Sequence, residues 1–227
     1  MVRLAENKHI VENKATEKLP LPQKVYLPLI QHLGKMCNPE VKVSDTVSLG
    51  QRIASVAAHV YAPIHASLSG KVIAIQDWPH PVLGRAKAVV IEGDGRDDQS
   101  VFGLKERQEV DKLTPQDIRK IVLDAGIVGM GGASFPTHIK LNPPQPVDTL
   151  IINGAECEPY LTADARLMVE KTAEISLGIT LVAKCLGVQK IYIGIEENKP
   201  EAIEVFSKIS GFRVKVLKSE YPQGGEK

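Results

Sequence analysis

The sequence predicts an α/β protein with an N-terminal β barrel-sandwich followed by a parallel-sheet α/β domain. Between residues 25 and 100, short runs of β-branched residues alternate with turn residues, as in small all-β domains. From about residue 110, strand-like apolar runs alternate with stretches of helical periodicity, which indicates βαβ units. We therefore expect an N-terminal arm at 1–24, a β domain at 25–100 and an α/β domain at 110–227, incomplete at its C-terminal end.

The β domain is predicted from two similar halves of the sequence. Alternating residues between Val41 and Leu49 surround a turn at 44–46, and strand-like runs follow at 60–63, 68–75 and 88–92. This arrangement resembles the biotinyl and lipoyl carrier domains. A carrier domain requires a modifiable lysine at a hairpin tip, and residues 53–70 contain no lysine. We therefore expect a structural or docking role for this domain.

The α/β domain is predicted to begin with a capped helix. Thr114 is a good N-cap, Pro115 suits the first helical position, and Asp117 can complete a capping box. Gly126 is placed to end this helix. Helices are then expected at 163–186, with a break near Thr172, and at 200–209, between strands at 149–152, 190–195 and 212–217.

Polar loops follow each of the three predicted strands, at 153–158, 196–198 and 221–226. Strands that alternate with helices imply a parallel sheet with right-handed crossover connections. We expect helices to cover both faces of this sheet. Ligands of such sheets bind at the carboxyl ends of the strands. The three loops are therefore predicted to converge on one cofactor-binding edge.

Composition excludes several classes of function. The chain has 227 residues, a net charge of +1 and only 4% aromatic residues, which argues against a nucleic-acid-binding surface. No apolar stretch is long enough to span a membrane, and the N-terminus lacks the apolar region of a signal peptide. The three cysteines are too scattered for a disulfide framework or a zinc site, so no metal ligand is predicted.

A glycine-rich loop after the first helix is the strongest functional signal. Gly126, Gly129, Gly131 and Gly132 lie within seven positions, and Lys140 follows them. Such a loop can direct several backbone N–H groups at one anion, and the lysine adds positive charge. The pattern is neither a Walker loop nor a dinucleotide fingerprint. It predicts a phosphate or nucleotide site, with a plain structural turn as the alternative.

Two uninterrupted motifs, at 133–140 and 152–159, resemble the C subunit of the bacterial Rnf electron-transport complex. They are more distantly similar to the NADH-binding flavoprotein subunit of complex I. The segments 28–34, 62–72, 79–81 and 221–227 extend the resemblance over most of the chain.

The resemblance implies FMN and NADH as cofactors and electron transfer between NAD(H) and ferredoxin. It also implies two iron–sulfur clusters, which require closely spaced cysteines that this sequence lacks. The chain is thus expected to be an N-terminal fragment without the iron–sulfur region, to bind FMN poorly and to be inactive alone.

The resemblance also assigns roles to individual residues, with no catalytic acid or base among them. The glycine loop would hold FMN, Lys140 would balance its charge, and Phe135 would lie against the nucleotide. A surface lysine and a core phenylalanine are the alternatives for the last two. In the strand-end loop two residues would contact flavin and Glu158 would face NADH, whereas Glu196, Glu197 and Asp164 are interpreted as helix-start acids. The predicted site residues are Gly129, Gly131, Gly132, Ala133, Phe135, Lys140, Asn153, Glu156, Glu158, Tyr221, Gly224, Gly225 and Glu226.

The expected function is that of a peripheral subunit at the cytoplasmic face of the bacterial inner membrane. Its partners would be the other subunits of an ion-translocating electron-transport complex and a ferredoxin-type carrier. One alternative is a cofactor-free scaffold subunit like that of a Na⁺-translocating quinone reductase. A second is a soluble flavin-dependent cobalamin reductase, which the long N-terminal β region disfavours.

Overall fold

The computed structural model describes residues 5–95, 110–130 and 134–221. The chain divides into two compact units. Residues 19–143 form a unit that contains the antiparallel strands and the first helices. Residues 1–18 and 144–227 form a second unit, built around a parallel sheet.

The first unit contains two small antiparallel sheets. One has the strand order β1-β7-β6-β3 and the other β2-β4-β5. Their inward-facing side chains, among them Ile53, Val72 and Ile91, pack into one buried core. The strands are β1 (Lys24–Pro28), β2 (Asn38–Pro39), β3 (Thr46–Val47), β4 (Arg52–Ser55), β5 (Ile64–His65), β6 (Gly70–His80) and β7 (Gly84–Gly93).

The alternating pattern at 41–49 forms a shorter strand than the alternation alone suggests. Only Thr46–Val47 pairs with β6, because the chain turns at Ser44, whose φ is 81°. The turn is held by hydrogen bonds from the Ser44 N–H to the Val72 carbonyl and from the Val72 N–H to the Asp45 carbonyl. The longest strand pairing in the described part of the β domain is therefore the β6–β7 hairpin.

Two helices complete the first unit. The helix α1 (Pro115–Asp124) begins with the predicted capping box, in which the Thr114 and Asp117 side chains each accept a backbone N–H of the other residue. It ends before Gly126, whose φ of 67° is one that residues other than glycine rarely adopt. The short helix α2 (Thr137–Lys140) follows the glycine-rich loop.

The second unit alternates strands and helices. The predicted strands are confirmed as β8 (Thr149–Gly154), β9 (Lys190–Glu196) and β10 (Arg213–Leu217), in the parallel order β10-β9-β8. The predicted break near Thr172 separates α3 (Ala163–Glu170) from α4 (Thr172–Leu186), and α5 (Pro200–Ser207) precedes β10.

All three helices of this unit pack on the same face of the sheet. Ile179 of α4 and Phe206 of α5 join Ile193 and Ile195 of β9 in one core. Ile151 lies on the opposite face and is 71% exposed. The expectation that helices cover both faces is wrong within this unit. The strands follow one another in a single direction, so right-handed crossovers bring every helix to the same side.

Residues 1–18 of the N-terminal arm belong to the second unit, and residues 19–24 belong to the first. Residues 8–10 form a short 3₁₀ helix, and the Tyr160 N–H donates to the Glu6 carbonyl at 2.8 Å. Thr16 donates from both its N–H and its hydroxyl to the Glu170 carboxylate. Among the described residues, no helix combines the length and apolar character needed to cross a bilayer.

Candidate functional site

The glycine-rich loop begins and ends in a narrow neck. The Gly129 N–H donates to the Phe135 carbonyl at 3.0 Å, and the Thr137 N–H donates to the Ile127 carbonyl at 3.0 Å. These bonds surround an isolated antiparallel bridge between Val128 and Pro136. The neck therefore brings the two flanks of the glycine-rich segment together. Its predicted phosphate-binding residues Gly131, Gly132 and Ala133 lie outside the described residues.

The β domain holds this neck in place. A Cβ atom added to Gly126 would lie 2.4 Å from the Pro63 carbonyl oxygen and 3.1 Å from Nδ1 of His65. On the other side, the Leu33 N–H donates to the Ser134 carbonyl at 3.3 Å. The barrel-sandwich thus packs directly against both ends of the glycine loop.

The side chains that follow the loop differ in exposure. Phe135 is half-buried, whereas Lys140 is exposed and makes no ion pair with any described residue. His138 is half-buried near the Tyr61 ring, with a centroid separation of 6.3 Å. Burial lowers the pKa of His138, and the neighbouring His59 and His32 lower it further. The Lys140 ammonium is therefore the charge that this segment offers to an anion.

The strand-end loop after β8 orients its polar residues in different directions. Asn153 and Glu158 are exposed, and the Asn153 Oδ1 accepts the Ala155 N–H at 3.0 Å. Glu156 is only 2% exposed. Of the acidic residues predicted in this loop, Glu158 is thus available at the surface and Glu156 belongs to the interior.

Glu156 is the centre of a buried cluster of charged residues. Its N–H donates to Oε2 of Glu196 at 2.9 Å, and its Oε1 accepts the Asp164 N–H at 2.8 Å. Its Oε2 lies 3.8 Å from the Lys199 Nζ and 4.0 Å from the Lys8 Nζ. That oxygen accepts no hydrogen bond from a described residue, so it retains capacity for a further donor.

The buried position of Lys199 disfavours the charged form of its side chain. Burial lowers its pKa, and the nearby Lys8 ammonium lowers it further, against the opposing effect of the Glu156 and Glu196 carboxylates. Two carboxylates and two ammonium groups thus share a site from which water is largely excluded. Such groups are tolerated only when they compensate one another.

The three strand-end loops converge as predicted. A small cleft of about 10 Å³ lies at the carboxyl ends of β8, β9 and β10 and is lined by residues of all three strand-end loops and of the N-terminal arm. The side chains of Glu156, Asn198 and Ser219 each leave one buried polar atom without a hydrogen bond from the described residues. Tyr221 lies at its edge, and Gly224, Gly225 and Glu226 lie outside the described residues. A single pocket that also includes 129–135 stays a prediction.

Sequence reasoning missed three members of the buried cluster. Lys8 lies 148 residues from Glu156, and no local pattern marks it. Glu196 was interpreted as a helix-start acid, which is wrong, because it is the buried last residue of β9. Its position at a strand end was the available signal. Lys199 directly precedes the Pro200 of α5, and its neighbouring acids were the only hint. Asp164 lies in the first turn of α3, as expected.

Two family models match the chain. Residues 2–96 match the RnfC barrel sandwich hybrid domain, and residues 122–227 match the Nuo51 FMN-binding domain. The C subunit of the proton-translocating ferredoxin:NAD(+) oxidoreductase complex of Clostridium ljungdahlii is 47% identical over 98% of this chain. The chain belongs to the family of Rnf complex C subunits. The expected fold, a barrel-sandwich followed by a flavoprotein-type α/β domain, is thereby confirmed.

Other Rnf C relatives agree with this assignment. The C subunit of the Na(+)-translocating ferredoxin:NAD(+) oxidoreductase complex of Acetobacterium woodii is 45% identical over 94% of the chain. Its counterpart in the ion-translocating oxidoreductase complex of Rhodobacter capsulatus is 42% identical over 97%. The chain spans 50%, 51% and 44% of these three relatives. A solved NAD⁺-reducing [NiFe]-hydrogenase is 24% identical over 47% of the chain and 21% of its own, and its TM-score of 0.36 is too low to support an argument.

Proposed function

We propose that this chain binds FMN and NAD(H) and transfers electrons between NAD(H) and a ferredoxin-type carrier. It would do so as a peripheral subunit at the cytoplasmic face of a membrane complex that translocates ions. The observation that carries the proposal is the group of buried polar atoms without hydrogen bonds from described residues at the strand ends, on Glu156, Asn198 and Ser219, within the segment matched by the FMN-binding family model. The names of the Rnf C relatives support the reaction and the partners.

The polar groups of this cleft fit a ligand rich in hydroxyl groups. Glu156 Oε2 and Asn198 Oδ1 are able to accept hydrogen bonds, and the Ser219 hydroxyl is able to donate or accept one. None of these three atoms has a hydrogen-bond partner among the described residues. The ribityl chain of FMN offers such hydroxyls, and the exposed Asn153 and Glu158 extend the polar surface. When bound, FMN would supply the change from two-electron to one-electron transfer.

The residues of the chain would bind and orient the cofactors. The glycine loop would direct backbone N–H groups at the FMN phosphate, Lys140 would pair with it, and Phe135 would pack against the nucleotide. Glu158 would face NADH. The proposed set keeps the residues predicted from the sequence, namely Gly129, Gly131, Gly132, Ala133, Phe135, Lys140, Asn153, Glu156, Glu158, Tyr221, Gly224, Gly225 and Glu226.

The domain organisation that we propose follows the family models rather than the compact units. Residues 25–100 would act as the barrel-sandwich and residues 110–227 as the FMN- and NADH-binding domain, with 1–24 as an arm. Iron–sulfur clusters would be held in the part of the longer relatives that this chain does not match, because clusters require closely spaced cysteines. The other subunits of the complex would complete the electron path.

Replacing Lys140 with Ala tests the proposal. We expect FMN affinity to fall by about 1.5–3 kcal/mol, since a charge-assisted hydrogen bond to an anion is lost. Fluorescence quenching during FMN titration of the purified chain measures this difference even where absolute binding is weak. The matched control is Lys42→Ala, which removes an exposed lysine of the same unit.

The two variants separate the possible outcomes. Equal FMN affinity in wild type, Lys140→Ala and Lys42→Ala would assign Lys140 to the surface and contradict its proposed role. Absence of FMN binding in a wild-type protein extended to the length of its relatives would contradict the cofactor site itself and favour the scaffold subunit as the function.

A further inference from the structure

We infer that Lys8 of the N-terminal arm is a positioning residue that holds Glu156 and its loop in place for cofactor binding. This inference rests on the proposed function through Glu156. The arm contributes no residue to the predicted flavin-binding motifs, and no pattern in the sequence assigned it a role beyond connecting. Its lysine nevertheless lies beside a predicted site residue and is 3% exposed.

The contacts of Lys8 connect two points of one loop. Its Nζ donates to the backbone carbonyl of Glu156 and, at 2.9 Å, to the backbone carbonyl of Leu161. The same Nζ lies 4.0 Å from the Glu156 Oε2. A single ammonium group therefore bridges the start and the end of the loop at 156–161.

Glu6 strengthens the attachment of the arm. Its carbonyl accepts the Tyr160 N–H at 2.8 Å, and its Oε2 accepts the Nδ2 group of Asn198 at 2.7 Å. The arm thus contacts both the loop after β8 and the loop after β9. Tyr160 has a φ of 67°, and residues other than glycine keep such a conformation only where their surroundings hold them in it.

Lys8 is needed to compensate the negative charges of the carboxylates in the buried cluster. Lys8 and Lys199 face Glu156 and Glu196, and all four side chains are buried. The Glu6 carboxylate is a further acid close to Lys199. Without Lys8, the carboxylates would outnumber the remaining buried lysine. An uncompensated buried charge is strongly unfavourable, so Glu156 would turn toward water or take up a proton. Either change would remove the carboxylate from the position that we propose for flavin contact.

The variant Lys8→Met tests this inference, because methionine keeps the apolar length and removes the charge and the donors. We expect FMN affinity to fall at least about tenfold, the effect of losing a hydrogen bond to a charged group. Lys14→Met is the control, since it removes an exposed lysine of the same arm. Unchanged FMN affinity in Lys8→Met would overturn the link between Lys8 and the cofactor site.

Hydrogen exchange separates local positioning from general stability. The N–H groups of Glu156, Tyr160 and Asp164 are bonded within the cluster and the arm. In Lys8→Met they should exchange at least about tenfold faster, since exchange reports local opening, while the amides of β9 keep their wild-type rates. Wild-type rates at the three amides, or equal acceleration across β9, would overturn the inference. This readout needs no flavin, so it decides the role of Lys8 even if the chain binds no FMN.

Discussion

Gly126→Ala is expected to destabilise the first unit by about 2–5 kcal/mol. The left-handed backbone at this position costs a residue with a Cβ roughly 1–2 kcal/mol, and overpacking typically adds 1–3 kcal/mol. The added Cβ would lie 2.4 Å from the Pro63 carbonyl oxygen, and a backbone atom cannot move aside as a side chain can. Denaturant unfolding measures the free energy of unfolding. The same change should weaken FMN binding, because it displaces the neck of the glycine loop.

The chain offers a matched control for this variant. Gly84 has a φ of 71°, close to the 67° of Gly126, but no atom of a described residue other than its chain neighbours lies within 4 Å of the position of its Cβ. Gly84→Ala should therefore show only the conformational cost of roughly 1–2 kcal/mol. Equal destabilisation by the two variants would mean that the close packing of the β domain on the loop contributes nothing.

Glu196→Ala should destabilise the second unit by about 3–5 kcal/mol, the cost of leaving a buried positive charge uncompensated when a nearby buried carboxylate is removed. The change leaves the Glu156 N–H without its acceptor and leaves Lys8 and Lys199 with one buried carboxylate between them. Thermal and denaturant unfolding measure the loss.

The surface pair of Glu204 and Lys208 provides the comparison. Its atoms approach to 2.6 Å, closer than any carboxylate–ammonium distance in the buried cluster, yet both side chains are well exposed. Glu204→Ala should cost at most about 1 kcal/mol, as is usual for solvent-exposed ion pairs. If Glu196→Ala cost no more than Glu204→Ala, the buried cluster would not hold the strand-end loops.

Local patterns predicted much of the fold. The capping box of Thr114 and Asp117 and the break near Thr172 depend on residues within a few positions of each other. The parallel strands also followed from apolar runs of suitable length. The short strands β2, β4 and β5 were less predictable. Each of these strands is only two to four residues long, and β4 pairs with both β2 and β5 in contacts that no local pattern marks.

In the candidate site too, features that depend on neighbouring residues were predicted, whereas contacts between distant residues were not. The strand-end loop after β8 was predicted, because polar residues directly follow an apolar strand. The partners of Glu156 were not, since Lys8 comes from the arm and its contact depends on how the arm folds back onto the same unit. Gly126 was predicted to end a helix, but only the structure shows that the Pro63 carbonyl occupies the space beside it.

The proposal that the glycine loop and the strand-end loop form one flavin site is tested most directly by amide chemical shifts during FMN titration. With a single site, shifts concentrate in two segments far apart in sequence, 129–140 and 153–158, and both segments saturate at the same FMN concentration. Shifts in one segment alone, or saturation of the two at different concentrations, would contradict a single FMN site.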